Sequence, residues 1–286
     1  MESRTRRGLT LGIVALATLA SAGPAEQTGT FALLGGTPQI VSKFWATHGS
    51  GLSYQLNVQQ FTKAGAPIKA YDIDMQHFMH LVVVRDDFGT FAHKHPAYNT
   101  TTGAFETGFT KERNHRYYVF ADSEPKGIGQ QVFRFLMESD GPYAMYKLSA
   151  AASANNSKAG PYTVTLATTT VAANVPHDVD LTVEKDDDPA TDLVPYLGAA
   201  AHVVMIDMST LAYVHVHPML RGQATPQNAS MTSMHSMKGM TGSGKAGPFM
   251  KMELPPLPAG SYKTWVQISG GKDLNVYTAP FTIVAK

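Results

Sequence analysis

Two groups of three histidines have the same internal spacing, which is the pattern in this sequence most able to do chemistry. The groups are His80, His93 and His95, and His202, His215 and His217. In each group the histidines occupy relative positions 1, 14 and 16, and a proline follows the third. Three neutral imidazoles with an open fourth position suit Zn(II) or Cu(II). The spacing therefore predicts one metal site in each triplet.

A β-hairpin is the element that must bring each triplet together. The segment 85–90 has the composition of a turn. A turn centred between Asp87 and Phe88 pairs residues whose numbers sum to 175, so His80 faces His95 and lies diagonal to His93. His93 and His95 are two residues apart and share a face of the strand. A register slip of one residue would turn His80 to the other face.

The second triplet obeys the same arithmetic about the turn at 209–210, where paired numbers sum to 419 and His202 faces His217. Pro96 and Pro218 end the strands, so we expect each site at a sandwich end that is open to solvent.

Affinity order favours copper over zinc at such a site, and we expect metal binding to weaken as the pH falls through about 6.5. The alternative is that these histidines only hydrogen-bond the backbone at a strand end.

A methionine-rich segment, residues 230–244, is inserted after the second triplet and has no counterpart in the first copy. Thioethers are soft ligands that select Cu(I), so the segment favours copper and predicts an accessory site. A polar loop without a metal role is the alternative. The accessory ligands would be Met231, Met234, His235, Met237 and Met240.

An internal duplication with an offset of 122 residues extends outward from the triplets, since His202 follows His80 by that interval. Short alternating segments such as 54–61, 162–166 and 179–183 predict strands, and long helical periodicity is absent. The fold class is therefore all-β, with two tandem immunoglobulin-like or cupredoxin-like sandwiches. We expect repeat 1 at 30–148, a small polar linker or surface loop at 149–160, and repeat 2 at 161–286.

Residues 1–22 have the features of a signal peptide, with three arginines before an apolar run and a small-residue cleavage site at 20–22. Export by the general or the twin-arginine route, or retention as an uncleaved anchor, remain alternatives. No later stretch is long and apolar enough to span a membrane. We therefore expect a periplasmic or extracellular protein with no transmembrane segment after signal cleavage.

Composition excludes several classes of protein. The formal net charge of +1 argues against nucleic-acid binding. The absence of cysteine rules out disulfides, thiolate metal sites and a cysteine nucleophile. The chain also has no nucleotide-binding loop, no G-x-S-x-G or H-E-x-x-H motif, and no carboxylate pair placed for acid–base catalysis.

The chain resembles a family of bacterial secreted proteins with tandem β-sandwich modules. The resemblance lies in the repeated histidine motif, in Pro195–Ala199 before His202, and in the C-terminal segments 260–267 and 278–284. In that family each module carries a histidine, a hairpin and an H-x-H-P sequence. The resemblance implies an envelope role linked to heavy metals. Copy one departs from the pattern at 74–79, which predicts unequal affinities for the two sites.

The leading hypothesis is a non-enzymatic protein that buffers or delivers copper, with zinc as the second metal and envelope metal-export or metal-acceptor proteins as partners. The alternative is a β-sandwich interaction module with structural histidines. A copper or zinc enzyme is a third hypothesis, for which the sequence offers no general base.

Overall fold

The computed structural model describes residues 25–143, 150–221 and 246–286, and within these ranges the chain is all-β. The predicted signal peptide at 1–22 and the methionine-rich segment at 230–244 lie outside the described residues. The three described ranges contain no helix capable of crossing a membrane.

The first repeat contains two facing sheets. Its strands are β1 (Gln27–Thr28), β2 (Thr30–Phe31), β3 (Ile40–His48), β4 (Ser53–Thr62), β5 (Tyr71–Asp72), β6 (Met79–Arg85), β7 (Phe91–Lys94), β8 (Ala97–Asn99), β9 (Ala104–Thr110), β10 (Tyr117–Pro125) and β11 (Gln131–Met137). One sheet has the order β1-β3-β4-β9-β8 and the other has β2-β11-β10-β6-β7, with β5 paired to β10.

The second repeat has the same plan. Its strands are β12 (Asn156–Ala159), β13 (Tyr162–Leu166), β14 (Thr170–Val171), β15 (His177–Lys185), β16 (Asp188–Pro189), β17 (Leu193–Val194), β18 (His202–Asp207), β19 (Tyr213–Val216), β20 (Met219–Leu220), β21 (Phe249–Leu254), β22 (Gly260–Gly270) and β23 (Asn275–Ala285). The sheet orders are β12-β13-β15-β21-β20 and β14-β23-β22-β18-β19.

These sheet orders correspond except at the short edge strands β2 and β14, and they confirm the prediction of tandem β-sandwiches. In the second repeat β16 also pairs with β15. The edge strands differ as well, since β2 comes before β3 and runs antiparallel to β11, whereas β14 comes after β13 and runs parallel to β23. Residues 156–159 form β12 and pair with β13, so the C-terminal end of the predicted linker belongs to the second sandwich instead.

Period-two alternation builds the interior of each sandwich. Along β13, Tyr162, Val164 and Leu166 are buried and the residues between them are half-buried, as expected for a strand with one face on a core. The strands that carry the first histidines differ, because β6 and β18 are buried on both faces. These two strands therefore need a second apolar partner outside their own sandwich.

That partner is the other repeat. A third apolar cluster, here called the inter-repeat cluster, joins the outer faces of the β6 and β18 sheets. Its buried members are Ala32, Val82, Val84, Phe88, Phe120, Val132, Val204, Ile206, Tyr213 and Trp265. The large aromatic side chains of Phe120 and Trp265 thus lie between the sandwiches and not inside either one.

Contacts across the inter-repeat cluster are reciprocal. Phe91 of β7 stacks on Trp265 of β22 with ring centroids 4.7 Å apart. The equivalent pair, Tyr213 of β19 and Phe120 of β10, stacks at 5.4 Å. The chain after β2 adds a backbone connection, since the amide of Tyr213 donates to the carbonyl of Ala32. The two sandwiches therefore pack through the same strands on both sides.

Truncating Trp265 tests this packing. We expect Trp265→Ala to lower the free energy of unfolding by about 3–5 kcal/mol, because it removes a buried ring and its stack on Phe91. Denaturant unfolding measures the change. Trp45→Ala is the matched control, since Trp45 is half-buried on the outer face of β3, and an equal loss in both variants would contradict the assignment.

Candidate metal centre

The hairpin register that assembles each triplet agrees with the sequence arithmetic. In the first repeat Val82 pairs with His93 and Leu81 with Lys94, so paired numbers sum to 175. In the second repeat Val204 pairs with His215, which gives 419. Both predictions of register are confirmed.

Each triplet converges on a small volume. The ligand nitrogens of His80, His93 and His95 lie within 4.8 Å of one another, and the same limit holds for His202, His215 and His217. Nε2 of His95 is buried and has no hydrogen-bond partner among the residues of the described ranges. All six predicted ligands are thus brought together in the two expected groups.

Backbone carbonyls fix the proton on the first histidine of each triplet. Nε2 of His80 donates to the carbonyl of Asp74 over 3.1 Å, and Nε2 of His202 donates to the carbonyl of Tyr196 over 3.0 Å. A carbonyl oxygen can only accept, so Nε2 carries the proton in both rings. The lone pair of each neutral ring is therefore on Nδ1, which points toward the second histidine.

Side chains from the opposite repeat fix the proton on the second histidine. Nδ1 of His93 donates to Oε1 of Gln267 over 2.7 Å, and Nδ1 of His215 donates to Oδ2 of Asp122 over 3.2 Å. Gln130 donates to both carboxylate oxygens of Asp122 and so orients it. Nε2 is the nitrogen with the lone pair in both His93 and His215.

The two lone pairs in each triplet consequently face each other. Nδ1 of His80 lies 3.0 Å from Nε2 of His93, and Nδ1 of His202 lies 3.2 Å from Nε2 of His215. Metal–nitrogen bonds of 2.0–2.1 Å at a tetrahedral angle place ligand nitrogens about 3.3 Å apart. Hydrogen bonds from the remote ring nitrogen to an oxygen are the usual arrangement around metal-bound histidine.

The expected solvent-open position at a sandwich end is wrong for three of the six histidines. His80, His202 and His215 are buried because they lie on the face of β6, β18 and β19 that the other repeat covers. His95 and His217, beside the strand-ending prolines, are half-buried. His93 is half-buried as well, so the first triplet has two partly accessible histidines and the second has one.

His77 is a further histidine at the first site that the triplet spacing did not indicate. Its ring stacks on His95 with centroids 4.1 Å apart and an interplanar angle of 15°. The equivalent residue in the second repeat is Ala199, since the bridges Asp74–His77 and Tyr196–Ala199 correspond. Comparing the loops before each first histidine at the constant offset could have singled it out.

Asp122 and Gln267 were also missed. They occupy equivalent positions, since Asp122 pairs with His80 and Gln267 pairs with His202 on the neighbouring strand. The available signal was a polar residue directly after an apolar run, which is Val119–Ala121 in β10 and Trp265–Val266 in β22.

Burial keeps the imidazoles neutral. Desolvation, reinforced by His93, lowers the pKa of His80 to about 4, and desolvation lowers the pKa of His93 to about 4 as well. The pKa values of His95 and His202 are depressed for the same reason. Desolvation, with the nearby charges of Asp122 and Glu124, raises the pKa of Asp74 to about 8.

A family model described as a domain of unknown function (DUF8832) matches residues 45–146 and 156–286. The chain belongs to this family. Each DUF8832 segment contains one complete histidine triplet and most or all of one sandwich, which agrees with the internal duplication. A comparison with curated proteins gives no match.

Stability of the metal-free DUF8832 protein should fall as the pH decreases from 6.5 toward 4. In that interval the unfolded histidines, with pKa near 6.5, take up protons that the folded ones resist, so acid favours unfolding. Asp74 opposes this effect because its folded pKa is raised, but it is one group against four depressed histidines.

Thermal unfolding in a chelator at pH 7.5, 6 and 5 measures the effect. The midpoint temperature should drop at each step. A constant midpoint across this range would mean that the imidazoles are not held neutral by the fold.

Proposed function

We propose that this protein binds copper through its two histidine triplets and buffers or delivers the metal in the bacterial envelope. The observation that carries the proposal is the pair of opposed lone pairs in each triplet, at 3.0 Å and 3.2 Å. Two neutral nitrogens at that distance repel unless a cation lies between them. A metal ion satisfies both nitrogens and the buried Nε2 of His95 together.

The choice of copper rests on the ligand chemistry. Divalent copper binds nitrogen ligands more strongly than zinc, and neutral imidazoles also accept Cu(I). The methionine-rich segment at 230–244 adds soft ligands suited to Cu(I). Zinc is the second metal that this ligand set would accommodate.

Transport or storage fits the site better than catalysis. Three of the six ligands are buried at the inter-repeat face, which leaves little room for a substrate beside the metal. The half-buried His95 and His217 provide a route for transfer of the ion to an acceptor. Residues 1–22 support export, and envelope metal-export or metal-acceptor proteins are the partners that this role requires.

Calorimetric titration of the chelator-treated protein with Cu(II) and Zn(II) at pH 7.5 tests the proposal. We expect two ions per chain in the wild type. The double variant His93→Ala/His95→Ala should bind one ion, because two of three ligands are lost from the first site. The corresponding change at His215 and His217, added to it, should abolish binding.

His48→Ala is the control, because this exposed histidine on β3 belongs to neither triplet. Absence of copper and zinc binding at micromolar concentrations would reject the proposal. The histidines would then be structural, and the interaction-module hypothesis would be the one left.

The crossed hydrogen bonds generate a further prediction. Asp122→Asn should weaken Cu(II) binding by the second-repeat triplet about 10-fold or more, although Asp122 belongs to the first repeat. The reason is that the carboxylate increases the basicity of His215 and offsets the charge of the ion. The measurement is a competition titration in a His95→Ala background, in which only the second site remains intact.

The matched control is Asp122→Asn in a His217→Ala background, where only the first triplet is complete. His93 is held there by Gln267, so a smaller loss of affinity is expected. A greater loss at the first site than at the second would contradict the crossed arrangement.

A further inference from the structure

The two triplets are not separate in space. Within the first triplet, the rings of His80 and His93 have centroids 5.2 Å apart. Across the interface, the His80 ring lies 5.4 Å from that of His215, and the His93 ring lies 5.8 Å from that of His202. Rings of different repeats are thus almost as close as rings of the same triplet.

These separations limit the distance between two bound ions. A metal bonded to an imidazole nitrogen lies about 3 Å from the ring centroid. The path from one ion through His80 and His215 to the other is then about 12 Å at most, and the ions lie closer if the path bends. Two cations in a buried site at this distance repel each other appreciably.

The surroundings also join the two triplets electrostatically. Asp122 accepts a hydrogen bond from His215, while its negative charge also acts on His80 and His93. Asp74 lies close enough to interact with both Asp122 and Glu124, and all three carboxyls are buried. A carboxylate oxygen of Asp74 lies 3.7 Å from Nε2 of His80, and one of Asp122 lies 3.2 Å from Nδ1 of His215. The Asp122 carboxylate therefore interacts with histidines of both triplets.

We propose that the two triplets form one dinuclear metal centre across the inter-repeat interface, in which an ion in one triplet weakens binding in the other. The proposal rests on the function proposed above and adds to it the coupling of the two ions. Each repeat contributes three ligands, and each also orients a ligand of the other repeat through Asp122 or Gln267.

The test uses Cu(II) and Zn(II) as probes on the full chain. Electron paramagnetic resonance of protein loaded with two equivalents of Cu(II) should give a spectrum broadened by spin–spin interaction, with a half-field transition. Protein loaded with one equivalent each of Cu(II) and Zn(II) is the diamagnetically diluted control and should give narrow lines.

A calorimetric measurement gives a second readout that does not depend on magnetism. Each single-site variant, His95→Ala or His217→Ala, retains one complete triplet. Zn(II) should bind the remaining triplet in at least one of these variants 10-fold or more tightly than the second Zn(II) binds the wild type, because no neighbouring ion is present.

The outcomes separate the two proposals. Two bound Cu(II) ions with narrow, additive spectra and independent affinities would overturn the dinuclear centre and leave the metal-binding function intact. A stoichiometry of one ion per wild-type chain would also overturn it. No binding of either metal would overturn both proposals.

Discussion

The site depends on one constraint: in each hairpin, two imidazole nitrogens face each other with their lone pairs. The two nitrogens are 3.0 Å apart in the first hairpin and 3.2 Å apart in the second. The arrangement follows from where the protons lie. Carbonyl oxygens of Asp74 and Tyr196 take one Nε2–H each, and the opposite repeat supplies the acceptor for each Nδ1–H. Without a cation such a pair is repulsive, so these hydrogen bonds hold the rings ready for one.

The inter-repeat cluster maintains this arrangement. Phe91 stacks on Trp265, and Phe120 stacks on Tyr213. On their strands, Phe91 and Tyr213 come two residues before His93 and His215, and Trp265 and Phe120 come two residues before the oxygen partners Gln267 and Asp122. Side chains two residues apart on a strand share a face, so the packing that joins the sandwiches also fixes the positions of His93 and His215. Removing water from this face strengthens the electrostatic interactions of the buried carboxyls with the rings.

Local features of the fold could be predicted from sequence, and long-range ones could not. Turn composition and the spacing of His80 and His93 determine a hairpin register, because pairing in a hairpin depends only on where the chain reverses. The apolar faces of β6 and β18 indicated interior strands, but sequence could not say whether the covering layer was the same sandwich or the other repeat. That choice decides the burial of His80 and the roles of Asp122 and Gln267, which come from strands distant along the chain.

The reciprocal contacts between the repeats have a consequence for how the two halves can change. An interface in which each side presents the same patch is the arrangement used by symmetric homodimers, where a substitution is always made twice. Joining the two copies in one polypeptide removes that restriction. Identical subunits could not differ at equivalent positions, but these two repeats do. Asp122 of the first repeat corresponds to Gln267 of the second, and His77 corresponds to Ala199, so one chain has two unlike halves around a common centre.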